Sequence, residues 1–225
     1  MTEHEKTPSF WDDFSTFLWV RYYNFIDLLK TMALYWRRPK FALVDLTLLL
    51  RYFFKSPYRI GREFNEDEPY GETPLITLSK LVEACPLTAN DIAYELGSGR
   101  GRCAFWLALY KGIQTVGIEN NPIFVERAQQ LATFFHVDKV QFRLEDITKA
   151  NFQEATWIYL YGTALSDNVI CEMAKNFQKL KAGTKIITIS YSLNDYVKES
   201  NIRLVNQLDV DFAWGSTLAY IHEVC

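Results

Sequence analysis

Asp91-Ile-Ala-Tyr-Glu-Leu-Gly-Ser-Gly-Arg-Gly-Arg102 is an apolar run that ends in an acid and then breaks into three glycines spaced two apart. It reads as a strand, a tight turn and the start of a helix. Gly97, Gly99 and Gly101 let the backbone take positive φ and remove Cβ atoms, so a ligand can lie against the main chain at a helix N-terminus. The next apolar run, Gln114 to Glu119, ends in a carboxylate about 20 residues on, where a doubly wound fold places the acid that holds a ribose diol. By itself the turn also has a bland reading, a structural glycine turn in some other α/β protein.

Glu95 stands two residues before the first glycine. A carboxylate there would repel a dinucleotide pyrophosphate but suits a ligand with a cationic amine. S-adenosylmethionine (SAM), with its ammonium and sulfonium, is such a ligand. The glycine spacing agrees, because the dinucleotide pattern would put its third glycine at Arg102. The expected core is therefore that of a class I methyltransferase, with Ser98 and Asn120 beside the glycines and Glu119 as further cofactor contacts. Arg100 and Arg102, flanking Gly101, read as exposed on the first helical turn, contact with an acidic substrate being the alternative.

The chain has 225 residues, room for one domain and an appendage. Its formal charge of −3 argues against a general nucleic-acid binder. Cys85, Cys103, Cys171 and Cys225 are scattered without a Cys-x-x-Cys pair, which implies a reducing, cytoplasmic setting and no zinc site. His4, His136 and His222 are too far apart to suggest a metal cluster; surface or packing roles are expected.

Residues 1–55 read as an N-terminal helical extension, 56–74 as a linker and cofactor-covering flap, and 75–225 as the methyltransferase domain. From Phe10 to Tyr58 the chain is dense in Phe, Trp, Tyr and Leu, and carries Arg21, Lys30, Arg37, Arg38, Lys40, Arg51 and Lys55 against Asp12, Asp13, Asp27 and Asp45. Phe14, Phe17, Leu18, Phe25, Leu28, Leu29 and Met32 recur at helical spacing, and Phe41 to Phe54 can form a second helix after Pro39. Neither is a good transmembrane span, since each central charge costs about 2.5–3.5 kcal/mol to insert. A cap packed on the core and a surface for membrane or a lipophilic partner both remain open.

Between Ser56 and Thr73, Pro57, Gly61, Pro69 and Gly71 accompany the acids Glu63, Glu66, Asp67 and Glu68. Beyond, an amphipathic helix through Leu75, Leu78, Leu81 and Val82 leads into the first strand. Further strands are expected at Lys139 to Leu144, Ala155 to Tyr161, Lys185 to Ser190, Ile202 to Leu208 and Leu218 to Glu223. The result is a doubly wound, Rossmann-like α/β sheet of seven strands in parallel order, with ligands at the C-terminal strand ends.

The flap Tyr70-Gly-Glu-Thr73, the turn Glu95-Leu-Gly-Ser-Gly99, the strand end Gly117-Ile-Glu119 and the tail Trp214-Gly-Ser216 resemble the non-SET histone lysine methyltransferases. They also resemble the small lysine methyltransferases of bacteria and mitochondria, whose eukaryotic members modify membrane-embedded carriers and the proton-ring subunit of ATP synthase. The resemblance covers Tyr70 to Val224. It implies that Tyr70, Glu72 and Thr73 close over the methionine part of SAM, with Glu72 and Thr73 on its ammonium and carboxylate. It implies further that Glu95 serves the methionine end, Glu119 the ribose, Asp146 the adenine amino group and Ile147 the ring face. Where the histone enzymes carry Asn-Asn-Phe after the fourth strand, this chain has Tyr161-Gly-Thr163, which puts histone specificity in doubt. There is also no Asn-Pro-Pro-Tyr pattern of the amide and base methylases.

The implied activity is transfer of a methyl group to a protein lysine, the acceptor being hydrophobic or membrane-associated and nucleic acid not being expected. Tyr161 is the candidate catalytic residue, at the strand end where the methyl group should point, with packing as its bland alternative. Trp214 either walls the site or fills the core. A small-molecule or lipid methyltransferase, and a SAM-binding scaffold without turnover, are the alternatives.

Overall fold

The computed structural model describes residues 10–65, 70–197 and 200–225. The acids Glu66, Asp67 and Glu68, with Pro69, and the side chains of Phe14, Phe17 and Leu18 lie outside the described residues.

Two helices, α1 (Phe10–Arg37) and α2 (Pro39–Arg51), precede the sheet. Pro39 starts α2 because a proline at the first helical position gives up no hydrogen bond. Where a linker or flap is expected, Pro57–Phe64 forms a short helix, α3, whose Ser56 side chain accepts from the Arg59 amide. The helix α4 (Leu75–Ala84) then leads to β1 (Ile92–Leu96).

From β1 the chain alternates strand and helix through α5 (Arg102–Trp106), β2 (Gln114–Glu119), α6 (Pro122–Phe134), β3 (Val140–Leu144), β4 (Trp157–Leu160), α7 (Asp167–Phe177) and β5 (Lys185–Ile189). A hairpin of β6 (Ile202–Phe212) and β7 (Gly215–Val224) ends it. The sheet order is β3-β2-β1-β4-β5-β7-β6. Strands β1 to β5 run parallel, whereas β7 is antiparallel to both β5 and β6. This corrects the all-parallel expectation for a physical reason. A parallel pair needs a crossover of a dozen residues or more, and only Ala213 and Trp214 join β6 to β7.

The order reverses between β1 and β4, so the loops that leave these two strands diverge and open a crevice at their C-terminal ends. One face of the sheet packs Ala93, Trp157, Tyr159 and Ile187 against α4, α5 and α6. Phe41, Val44 and Leu48 of α2 are fully buried in that same cluster, so the inner face of the N-terminal extension is continuous with the core. The other face buries Tyr94, Leu96, Ile158 and Ile186 under Ile170, Met173 and Phe177 of α7. Among the described residues no helix is long and apolar enough to cross a membrane, and no group of three or more His, Cys, Asp or Glu is placed to hold a metal ion.

Candidate active site

The glycine turn is clipped to the neighbouring strand. The Gly97 and Ser98 amides donate to the Ile118 carbonyl, at 2.8 and 2.9 Å. The Gly99 amide donates to Glu119 Oε2 (2.7 Å) and the Asn121 amide to Glu119 Oε1 (2.9 Å), which fixes that carboxylate between the turn and the start of α6. Asn121 caps α6 by accepting from the Ile123 amide. Gly99 is required twice over. Its φ of +51° favours glycine, and a Cβ there would come within 2.6 Å of the Tyr70 ring.

Beyond the turn lies a cavity of about 410 Å³, within the range of small-ligand sites. The ends of β1 to β4 line it through Gly97, Glu119, Asn120, Asp146, Ile147 and Tyr161, and Tyr70 and Gly71 with Gly61 and Phe64 of α3 complete the wall. A Cβ built on Gly97 would meet nothing within 4 Å, so the backbone there is bare toward open space. Asp146 is exposed, and its Oδ1 accepts from the Thr148 amide and hydroxyl; the amide bond chiefly holds its carboxyl below the usual range.

Glu72, Thr73, Glu95, Ser98 and Gly101 are outside that lining. Glu95 is 6 % exposed and its Oε2 has no partner. Burial outweighs the help of the Ala104 amide and Cys103, and pushes its carboxyl up to about 8. Thr73 shares a 2.6 Å hydrogen bond with the Tyr159 hydroxyl, both groups being buried. Ser98 Oγ is buried without a partner.

Glu72 accepts from Arg100, at 2.6 and 3.2 Å. Arg102 binds Asp45 of α2 at 2.9 Å, Asp27 of α1 at 3.3 Å and lies 3.7 Å from Glu72. The expectation that Arg100 and Arg102 are exposed is thereby overturned, because the buried acids Asp27 and Asp45 and the largely covered Glu72, from α1, α2 and the flap, surround the two guanidinium groups. His222 is likewise buried: its Nε2 accepts from the Leu193 amide, and burial pushes its pKa down to about 4.

At the end of β4, Tyr161 packs so closely on Gly71 that a Cβ at Gly71 would collide with its ring. The Trp214 indole N–H donates to the Tyr161 hydroxyl (2.7 Å), and Phe212 stacks on Trp214 with centroids 5.3 Å apart. Burial raises the Tyr161 pKa, so it stays a neutral phenol.

A family model described as the ANTKMT methyltransferase domain matches residues 95–200. An H3 lysine-79 specific histone-lysine N-methyltransferase of Caenorhabditis elegans is 28% identical over 158 residues, 63% of this chain and 17% of that protein. One from Cryptococcus neoformans var. neoformans serotype D is 22% identical over 151 residues, 60% of this chain and 23% of that protein. An RNA methyltransferase of Salinibacter ruber, solved with S-adenosyl-L-homocysteine, superposes with a TM-score of 0.57 at 28% identity, over 68% of this chain and 93% of its own. The chain carries a class I SAM-dependent methyltransferase domain. It spans less than a quarter of the length of those two curated relatives.

The residues of this methyltransferase domain fit its cofactor. An orphaned buried acid at Glu95 suits a cationic amine, and the bare backbone at Gly97 admits a ligand. Glu119 and Asp146 stand at successive strand ends around the cavity. Three polar residues at or beside the site are missing from the sequence-based set: Tyr159, Asp27 and Asp45. Tyr159 was detectable, since the two-residue period of a strand puts Trp157, Tyr159 and Tyr161 on one face. Asp27 and Asp45 carried no such signal, and read only as charges that interrupt apolar helices.

Proposed function

We propose that the domain methylates the side-chain amine of a protein lysine. The observation that carries this reading is the aromatic end of the site, where Tyr161, Trp214 and Phe212 gather beside the flap at Gly71. A lysine must lose its proton before it can act as a nucleophile, and an apolar aromatic wall disfavours the ammonium form. The wall also excludes water and orients the acceptor. SAM supplies a sulfonium methyl group open to direct displacement. In this reading Glu95 faces the amino-acid end of the cofactor, Glu119 the ribose, and Asp146 and Ile147 the adenine. The curated relatives, named as histone-lysine methyltransferases, support a protein substrate.

A hydrophobic or membrane-associated substrate is favoured by the outer face of the N-terminal helices and the turn that follows α2. Trp36 is 88 % exposed and Phe54 95 %, with Phe25, Leu46, Leu50 and Phe53 also exposed, and with Arg37, Arg38, Arg51 and Lys55 among them. Basic residues interleaved with exposed apolar ones suit an anionic membrane surface.

The test is transfer of labelled methyl from SAM into soluble protein, membrane protein and lipid extract, with Glu119→Ala as control. Methyl-lysine recovered from hydrolysed membrane protein, and lost in the variant, is the expected result. Label confined to the organic extract would overturn the reading in favour of a lipid acceptor.

A further inference from the structure

Two guanidinium groups flank Gly101 of the glycine turn, their side chains only 10 % and 12 % exposed, and neither lines the cofactor cavity. Arg100 and Arg102 are both nearly buried, and every carboxylate they bind belongs to an element that must be brought to the turn from elsewhere. Glu72 comes from the flap, Asp45 from α2 and Asp27 from α1. The Glu72 side chain is 16 % exposed, Asp45 6 % and Asp27 8 %, so this is an interior cluster. Arg102 joins its members, since one guanidinium lies within 4 Å of all three acids. Tyr35 of α1 donates to Asp45 Oδ2 at 2.6 Å and ties the two N-terminal helices to each other.

We propose that Arg100 and Arg102 are positioning residues that latch the flap and the α1–α2 pair onto the cofactor turn. The latch rests on the reading that the flap covers the amino-acid end of SAM, and it gives Glu72 a role different from direct contact with the cofactor. Two other flap contacts are neutral: Tyr70 lies on Gly99, and Thr73 binds Tyr159. Glu72 supplies the charged one, and the energy of a charge-assisted bond between buried groups is sensitive to the loss of either partner. The N-terminal helices then belong to the cofactor site through Arg102, although they do not line the cavity around the glycine turn.

The experiment compares the affinity of Glu72→Gln, Arg100→Met, Asp45→Asn and the Glu72→Gln/Arg100→Met double variant for two ligands, by calorimetry. S-adenosyl-L-homocysteine carries the amino-acid end; 5′-methylthioadenosine lacks it. Glu72→Gln and Arg100→Met should each weaken S-adenosyl-L-homocysteine at least about tenfold, a change of one decade in the dissociation constant. Both should leave 5′-methylthioadenosine within about twofold, a difference well below one decade. The double variant should be no weaker than the worse single one, because the two residues act as a unit. Asp45→Asn, which weakens the Arg102 link and the Tyr35 tie between the two helices, should shift the same ligand in the same direction.

If Glu72 instead touched the cofactor directly, Glu72→Gln would lose affinity while Arg100→Met kept it. That outcome overturns the latch. Equal losses for both ligands would also overturn it, because they would mean general disruption of the turn. Thermal unfolding of each variant identifies any that fails to fold, and Glu72→Gln, which keeps the side chain's shape, then decides. No methyl acceptor enters this assay, so its failure leaves the lysine reading standing, and the failure of that reading leaves the latch standing.

Discussion

The two ends of the cofactor cavity are built on opposite plans. At the β3 end, Asp146 is exposed and its carboxylate is already satisfied by Thr148 and Lys149. Behind the β1 end, outside the cavity lining, Glu95 is buried, keeps one oxygen unpartnered, and lies near the cluster of Arg100, Arg102, Glu72, Asp27 and Asp45. A surface carboxylate can exchange water for ligand at small cost, whereas a buried one must be neutral or paired. The β1 end should therefore be where substitution and pH matter most.

The largest effect expected is on stability. Arg102→Met leaves Asp45 and Asp27 buried without their counter-charge and should cost about 3–5 kcal/mol, read as a fall in the urea midpoint. Comparable damage from Asp146→Asn would dissolve the contrast between the two ends.

Next comes Glu95→Gln, which should weaken S-adenosyl-L-homocysteine by about tenfold or more while sparing 5′-methylthioadenosine, as for a lost charge-assisted bond. The pH dependence sharpens this. The folded pKa of Glu95, about 8, lies above its ordinary 4.5, so its contribution to stability is complete below pH 4.5 and is lost as pH rises through 8. His222 has the opposite sign: its folded pKa of about 4 lies below 6.5, so its contribution is present above pH 6.5 and lost as pH falls through 4. Of the two, only Glu95 acts between pH 6.5 and 8. The unliganded protein should lose stability across that window, and denaturant titrations of Glu95→Gln should show the slope removed.

Smaller effects are expected at the open end and at the aromatic wall. Asp146→Asn should weaken both ligands equally and by less than Glu95→Gln weakens S-adenosyl-L-homocysteine; an effect on one ligand alone would place it away from the nucleoside. Trp214→Phe removes one hydrogen bond to Tyr161 at a half-exposed indole, worth about 0.5–1.5 kcal/mol. It should lower kcat a fewfold and leave S-adenosyl-L-homocysteine affinity unchanged.

The open end was the more legible in the sequence. Asp146 and Ile147 lie just past β3, as Glu119 lies at the end of β2, and strand ends can be counted along the chain from the alternation of apolar runs and turns. The buried end was only half legible. Local pattern names Glu95 and the flap resemblance names Thr73, but that resemblance also makes Glu72 a cofactor contact, and local position makes its partner Arg100 a surface group. Their pairing spans 28 residues, and the links from Arg102 to Asp45 and Asp27 span 57 and 75. Nothing in local periodicity specifies a bond of that length.

The amino-acid sequence by itself determined the α/β class, the glycine turn and the succession of acids at strand ends, because each depends on residues within a few positions of one another. Only the tertiary structure decided that β7 enters antiparallel between β5 and β6, that α2 shares the central core, and that Arg100 ties the flap, and Arg102 the N-terminal helices, to the glycine turn. Those outcomes depend on which distant surfaces meet, and burial of charge makes the meeting specific by requiring every ion to find its partner.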